Sequence, residues 1–464
     1  MSLTTTPADA LDLELHRDTV TEDGARPRMT VIGTGYLGAT HAICMAVLGF
    51  EVLGVDVDPA KVARLAAGEV PFFEPGLPEL LRKALDSGRL RFTTDFAEAG
   101  EFGDVHFLCV GTPQAPGSDA ADLTYVRAAT TALARNLRRR ALVVGKSTVP
   151  VGTAAELTEL VQRTAPAGTA VELAWNPEFL REGFAVDDTM NPDRLVFGVS
   201  PEWAEQRLRA CFAPVVDDHG TPVLVVDLPT AELVKVAANS FLATKISYIN
   251  AMAEVCERTG ADVTKLAEAL AHDSRIGGRF LKPGLGFGGG CLPKDIRAFK
   301  ARAEELGVGQ AVAFLHEIDA INKRRRARTV DLVREVAGGD LRGVRVAAWG
   351  AAFKPDSDDI RDAPALDVAV LLQEAGALVT VYDPEAMVNA RRSYPQLAYA
   401  DSALEAARDA DVVVLLTEWR QFREVDPEVL GEVVAHRRVV DGRHALDRTA
   451  WRAAGWEHRA LGRP

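Results

Sequence analysis

Short apolar runs, each closed by glycine or an acid and followed by a longer helical stretch, recur along the chain from Met29 onward. Met29-Thr-Val-Ile reads as a strand buried on both faces, and it runs straight into Gly33-Thr-Gly35-Tyr-Leu-Gly38 and an apolar helical segment through Leu48. Glu51-Val-Leu-Gly-Val-Asp56, Asp104-Val-His-Phe-Leu-Cys-Val110, Ala141-Leu-Val-Val-Gly145 and Val171-Glu-Leu-Ala-Trp175 continue the alternation. Strands alternating with helices predict a doubly wound parallel sheet. From Leu341 the pattern begins again. Val344-Arg-Val-Ala-Ala-Trp-Gly350, Ala377-Leu-Val-Thr-Val-Tyr-Asp-Pro384 and Asp411-Val-Val-Val-Leu-Leu-Thr417 echo the first strands in order. The predicted fold is α/β, with two Rossmann-like doubly wound domains.

Between them, residues 229–259 read as one long helix, free of proline and glycine between Pro229 and Gly260. It is apolar all round (Leu233, Val236, Phe241, Ile246, Tyr248, Ile249, Met252, Val255), which predicts burial between domains or subunits. A second connecting helix is expected over 311–335. Its Lys323-Arg-Arg-Arg326 run reads as a solvated face with no chemistry. The expected division is a flexible extension over 1–28, a first domain over 29–215, a central helical region over 216–335, and a second domain over 336–464.

Chemistry enters first at the glycines. Gly33-x-Gly35-x-x-Gly38 lies between a strand and a helix, and Asp56 closes the next strand about 20 residues on, which is the setting a dinucleotide site needs. Gly33 suits the tight turn, Gly35 admits a pyrophosphate, and Gly38 lets the helix pack closely. Thr34, Tyr36 and Leu37 complete the loop. Asp56 suits the ribose hydroxyls and repels a 2′-phosphate, so NAD is expected rather than NADP. Lys61 lies either near the adenosine end or in solvent. Thr112 and Thr148, at the ends of later strands, are ligand contacts or helix caps.

Asn176-Pro-Glu178-Phe-Leu-Arg-Glu182 predicts a helix start with two carboxylates on one face, suited either to polarising water or to complementing the helix dipole. Lys235 and Asn239 sit one turn apart on the long helix; either they have a polar task or the lysine snorkels. Gly286-Phe-Gly-Gly-Gly290 delivers Cys291 to a helix start marked by Pro293, where the dipole favours thiolate; the alternative is a buried core cysteine. Asp295 falls on the same face, with Lys294 beside it. Arg275 and Lys282 bracket this region as anion contacts. In the second domain Ala351-Ala-Phe353-Lys354-Pro355 replaces the glycine motif, which suits a nucleotide-bearing substrate held partly by Lys354 rather than a second dinucleotide. Asp358 and Arg361 follow, and Arg443 is a phosphate candidate.

A net charge of −13 argues against a nucleic-acid partner. The five cysteines are scattered without C-x-x-C spacing, so no metal site or disulfide framework is expected and a reducing cytoplasm fits. No apolar run reaches the roughly 18–20 residues that span a bilayer, so no membrane is expected.

In combination, the glycine motif, Phe72-Phe-Glu-Pro-Gly-Leu77, Ser147-Thr-Val-Pro150, Asn176-Pro-Glu-Phe-Leu180, Lys235 with Asn239, Gly286-Phe-Gly-Gly-Gly-Cys291, Phe353-Lys354 and Asp441-Gly-Arg443 resemble the UDP-glucose/GDP-mannose dehydrogenase family over Met29 to about Leu446. The resemblance implies NAD-dependent oxidation of a nucleotide-sugar C6 alcohol to a carboxylate in two hydride steps. UDP-glucose is expected, with GDP-mannose or a UDP-N-acetylhexosamine as alternatives. It implies Cys291 as the nucleophile and Lys235 at the oxyanion, with Asn239 helping to position the sugar or a water. Glu178 would be the base or water activator, with Asp295 supporting proton transfer. Thr148 and Glu182 would lie near the nicotinamide, and Arg361 would reach the cofactor. Phe179, Leu180, Arg275, the loop from Lys282 through Phe287 to Gly288, Phe353, Lys354 and Arg443 would contact the nucleotide sugar in a cleft between the two α/β units. A homodimer through the long helix is implied as well. A two-electron dehydrogenase with a structural Cys291, and a non-catalytic nucleotide-sugar sensor, are the competing readings.

Overall fold

The computed structural model describes residues 26–463. Residues 1–25, most of the expected extension, lie outside the described residues. At its end, Arg26 donates to the Leu48 carbonyl at 2.9 Å and Arg28 N–H to Asp104 at 3.0 Å. The chain forms two compact units. One contains residues up to Pro113 together with Ala121–Lys235, and the other contains Gln114–Ala120 with Val236–Pro464.

The first unit is built on eight strands: β1 (Met29–Ile32), β2 (Val52–Val55), β3 (Leu90–Thr93), β4 (Val105–Leu108), β5 (Ala141–Gly145), β6 (Val171–Trp175), β7 (Leu195–Gly198) and β8 (Val223–Val226). Their order is β3-β2-β1-β4-β5-β6-β7-β8, with β6 and β7 the antiparallel pair. Side chains alternate between faces along each strand. Met29, Val31, Leu142 and Val144 join one core, while Ile32, Ala141 and Val143 join the other, so the sheet is covered on both sides. Order reverses beside β1, which makes its carboxyl end the switch point where such sheets bind ligands. The helix Tyr36–Val47 starts there. It packs so closely that a Cβ on Gly38 would stand 1.8 Å from the Gly33 carbonyl oxygen.

The second unit repeats the plan with six strands: β9 (Arg345–Trp349), β10 (Leu378–Tyr382), β11 (Ala398–Tyr399), β12 (Val412–Leu415), β13 (Arg438–Asp441) and β14 (Glu457–Ala460). The order β11-β10-β9-β12-β13-β14 is parallel throughout. Its core gathers Trp349, Val379, Val413, Val440 and Phe422.

The long helix is Leu228–Thr259, and the division between units falls within it. Its apolar pattern predicts burial all round, but Leu233, Phe241, Tyr248 and Val255 stay exposed, Phe241 to 67%. The opposite positions, Val236, Ile249 and Ala253, are buried; this chain covers one face only. The second connecting helix is Phe314–Ala337. Its basic run is not a solvated face. Lys323 and Arg324 are exposed, but Arg325 is fully buried against Glu257 and Arg326 is buried beside Asp367 and Asp362. Two of four consecutive residues on a helix turn inward, and carboxylates distant in sequence make that tolerable.

Candidate functional site

In the first unit the glycine loop and the acid after β2 meet. Gly33 N–H donates to the Val55 carbonyl at 2.7 Å, tying the loop to the neighbouring strand. Thr34 gives Asp56 both its N–H, at 2.8 Å, and its hydroxyl, at 3.0 Å. Asp58 N–H and Lys61 Nζ complete the carboxylate's partners at 3.1 and 2.9 Å. Burial pushes the Asp56 carboxyl up, but Lys61 and the Asp58 and Thr34 donors outweigh it, and the group lies below the usual range. A Cβ on Gly35 would meet nothing within 4 Å, so open space faces the backbone where a pyrophosphate would approach. Open backbone, a helix N-terminus and a charged acid together fit a dinucleotide. Leu37 packs its side chain into the core.

Thr112 and Thr148 are brought together: the Thr112 hydroxyl donates to the Thr148 carbonyl at 2.6 Å. Asn176–Phe184 is not the expected helix. The chain turns there, and the helix begins only at Ala185. Asn176 is no cap because its side chain is spent elsewhere. It accepts from the buried Lys146 at 2.9 Å and donates to the Val196 carbonyl at 2.9 Å. Glu178 Oε2 accepts from Leu180 N–H at 2.8 Å, closing a local turn. Glu178 Oε1 meets Lys235 Nζ at 3.0 Å, both side chains being nearly buried, with the Phe179 ring beside the ammonium. Lys235 therefore does not snorkel. Glu232, one turn earlier, had no signal in the local pattern. Its carboxylate accepts from Gly152 and Ala154 N–H at 2.8 and 2.6 Å and holds the segment after Thr148.

In the second unit Cys291 occupies the N-cap of the helix Leu292–Glu305. It is exposed, whereas Cys44, Cys109, Cys211 and Cys256 are buried. Burial pushes the Cys44 and Cys109 thiols up to about 12. Asp295 N–H bonds the Cys291 carbonyl at 3.0 Å, and the buried Asp295 carboxylate joins Asn239 Nδ2 at 2.6 Å to Lys294 Nζ at 2.5 Å. One turn into the helix that Cys291 opens, a buried carboxylate is thus held between a buried amide and a half-buried ammonium.

The loop before Cys291 is clamped from several directions. Gly286 has φ +98°, and a Cβ there would sit 2.1 Å from Asn322 Oδ1. Asn322 accepts from Phe287 N–H at 2.7 Å and donates to the Phe287 carbonyl at 2.9 Å. Asn250 accepts from Gly284 N–H at 2.9 Å. Neither asparagine stood out in the sequence, since each lies in an ordinary helical stretch. Phe287, expected among the substrate-contacting loop residues, packs its ring in the core with Ala243, Ile296, Leu315 and Ile318. A Cβ on Gly288 would stand 2.3 Å from the Asp362 carbonyl oxygen.

Arg443 braces this loop from the second sheet. Its guanidinium donates to the Leu416, Gly286 and Phe353 carbonyls at 2.8, 3.0 and 3.3 Å. Arg361 forks onto Asp359 at 2.6–2.9 Å and stands beside Gly290. Phe353 lies against Gly289, with Lys354 Nζ 5.6 Å from its ring. Arg275 and Lys282 are exposed, and Arg275 is paired with Asp273 at 2.6 Å.

A glycine-opened switch point with an acid closing the next strand, a second parallel sheet without one, and an exposed thiol at a helix N-cap position define a nucleotide-dependent oxidoreductase of the two-sheet kind. The chain belongs to the UDP-glucose/GDP-mannose dehydrogenase family. Its residues 27–216 match the family's NAD binding domain, 229–324 the central domain and 347–448 the UDP binding domain. It is 41% identical over 439 residues to a UDP-glucose 6-dehydrogenase of Rhizobium meliloti, covering 94% of this chain and 100% of the relative. To the Pseudomonas aeruginosa UDP-glucose 6-dehydrogenase it is 40% identical over 451 residues, covering 94% and 98%. Among solved structures, a UDP-glucose dehydrogenase from Pyrobaculum islandicum superposes with a TM-score of 0.87 at 38% identity, covering 96% of this chain and 100% of that one. A UDP-D-ManNAc dehydrogenase from Pyrococcus horikoshii gives 0.82 at 26%, covering 94% and 99%. The protein is an NAD-dependent nucleotide-sugar dehydrogenase. Among the described residues, no helix is long and apolar enough to cross a membrane.

Proposed function

We propose that this protein oxidises the C6 alcohol of UDP-glucose to the carboxylate of UDP-glucuronate, consuming two NAD per sugar. The observation that carries the chemistry is the exposed Cys291 at a helix N-cap, on the helix whose first turn holds Asp295 with Asn239 and Lys294. The identity to UDP-glucose 6-dehydrogenases over nearly the whole chain supports the choice of sugar. Gly33, Gly35, Gly38 and Asp56 would hold NAD, which when bound accepts the hydride of each oxidation.

The residues then divide the work. The Glu178 carboxylate takes the hydroxyl proton as C6 becomes an aldehyde, and the Lys235 ammonium beside it receives the charge that forms on oxygen. Cys291 Sγ adds to C6 and gives a thiohemiacetal, a carbon from which a second hydride can leave. The product is a thioester. Water placed by Glu178 and Asp295 breaks the C–S bond, frees the carboxylate and returns the thiol. Thr148 and Glu182 would serve the nicotinamide end; Phe353 and Lys354 would serve the nucleotide sugar. Asn239 fixes the Asp295 carboxylate through its amide.

The central helix carries Phe241, Tyr248 and Val255 exposed at seven-residue spacing, one stripe along a helix, which supports pairing with a second copy. Five scattered cysteines, four of them buried, support a cytoplasmic setting.

The test is turnover of a panel of UDP- and GDP-sugars with NAD. Two NADH per UDP-glucose is expected, and one would overturn the covalent scheme. Cys291→Ser should lower acid production about 10³-fold or more. Acid formation at the parent rate would remove Cys291 from the mechanism.

A further inference from the structure

Glu74 lies in the Phe72-Phe-Glu-Pro-Gly-Leu77 stretch, for which the reaction above has no use. It is 3% exposed and, among the described residues, has no cationic partner. Three donors surround its carboxylate instead. Gly183 N–H reaches Oε2 at 2.6 Å, Ala185 N–H reaches Oε1 at 2.7 Å, and the Tyr36 hydroxyl donates to Oε2. Gly183 N–H also lies 2.9 Å from the Tyr36 oxygen. Phe72 packs on the Tyr36 ring with centroids 4.8 Å apart.

These partners come from two places with separate tasks. Tyr36 opens the helix that follows Gly33–Gly35. Gly183 and Ala185 close the irregular turn that carries Glu178 and Glu182. The same turn is also tied to the helix that follows it by the fork of Arg181 onto Asp188. A buried carboxylate is costly without compensation, and three hydrogen bonds to it are stronger than neutral ones. An apolar residue would fill the space, but only an acceptor with two oxygens can hold both amides and the tyrosine.

We propose that Glu74 is a positioning residue that straps the Glu178–Glu182 turn to the dinucleotide loop, so that seating NAD and setting those carboxylates are coupled. Coupling is reciprocal: whatever orders one end tightens the other. The inference rests on the reading that Gly33–Gly38 holds NAD and that the turn carries the proton-handling carboxylate.

Three proteins test it: Tyr36→Phe, which keeps both amide bonds and cuts the link, Glu74→Gln, which can accept from only one amide, and the double variant. The readouts are the Kd for NAD by calorimetry without sugar, amide exchange at Gly183 and Ala185 with and without NAD, thermal stability, and kcat and KM for each substrate. In the parent, NAD should slow exchange at both amides about 10-fold or more. Tyr36→Phe should abolish that response while leaving the amides protected. Glu74→Gln should raise the NAD Kd about 10-fold and lower kcat while the sugar KM stays within about 2-fold. The double variant should be no worse than Glu74→Gln. NAD-independent exchange in the parent, additive effects, or losses that only track Tm would each overturn the proposal. Should Glu74→Gln fail to fold, the Tyr36→Phe exchange data decide alone. A parent that turns over normally but shows no coupling defeats only the strap; a parent that does not bind NAD defeats the reading beneath it.

Discussion

Asp56 and Asp383 each follow the second strand of their own sheet, and the chain treats them in opposite ways. Asp56 takes two donors from Thr34, one from Asp58 and a flexible lysine, while Gly35 next to it faces open space. Asp383 is fully buried and accepts five N–H groups: Ala351 and Ala352 at 2.7 and 3.0 Å, Trp419 at 3.0 Å, and Glu385 and Ala386 at 3.0 and 2.9 Å. Ala351 and Ala352 are themselves fully buried. One topology thus yields a switch point that admits a ligand and another sealed by its own backbone. The sealed loop is what holds Phe353 and Lys354 in place. The loop's small residues decide between the two outcomes, and strand order does not.

The sharpest way to break this contrast is Asp383→Ala. Five donors, most of them buried, would lose their acceptor, at a cost of about 4 kcal/mol or more, and the second sheet should lose its cooperative melting transition in calorimetry. Gly38→Ala comes next. Its Cβ would collide with the Gly33 oxygen, so roughly 3 kcal/mol of stability should be lost, whereas Gly35→Ala should melt like the parent and lose NAD affinity alone. Asp56→Ala should raise the NAD Kd about 10-fold and, by leaving the buried Thr34 donors without an acceptor, cost about 1–3 kcal/mol of stability, with sugar binding nearly unchanged; an equal loss of sugar binding would refute its assignment.

The smallest effect is one of pH, and it should touch both units. Burial lowers His106, bonded to Thr30 at 2.7 Å, to about 3 and His444 to about 4. Both stay neutral in the fold but take a proton when unfolded below about 6.5, so the unfolded state binds more protons and stability falls as pH drops from there toward the folded values. Each histidine should contribute about 1.4 kcal/mol per pH unit to that slope, and His106→Asn should remove its share.

The strands, their repetition in two sheets, the glycine loop with Asp56, and the helix starting at Cys291 were all readable because each is local: period, punctuation and caps lie within a few residues. What stayed hidden depends on partners far along the chain. Asn176 looked like a cap because Lys146 and Val196, which claim its side chain, are 30 and 20 residues away. Arg325 and Arg326 looked solvated because Glu257 and Asp367 are remote in sequence. The burial of the Phe287 ring was equally hidden, since nothing nearby announces that Leu315 and Ile318 enclose it. The long helix read as buried all round because hydrophobicity alone does not say which of its faces this chain covers.

Four sealed thiols and one open thiol also give the folded chain a chemical handle. An alkylating reagent applied under native conditions would find a single address, at the head of the Leu292–Glu305 helix, so a reporter can be attached there stoichiometrically without removing any other cysteine.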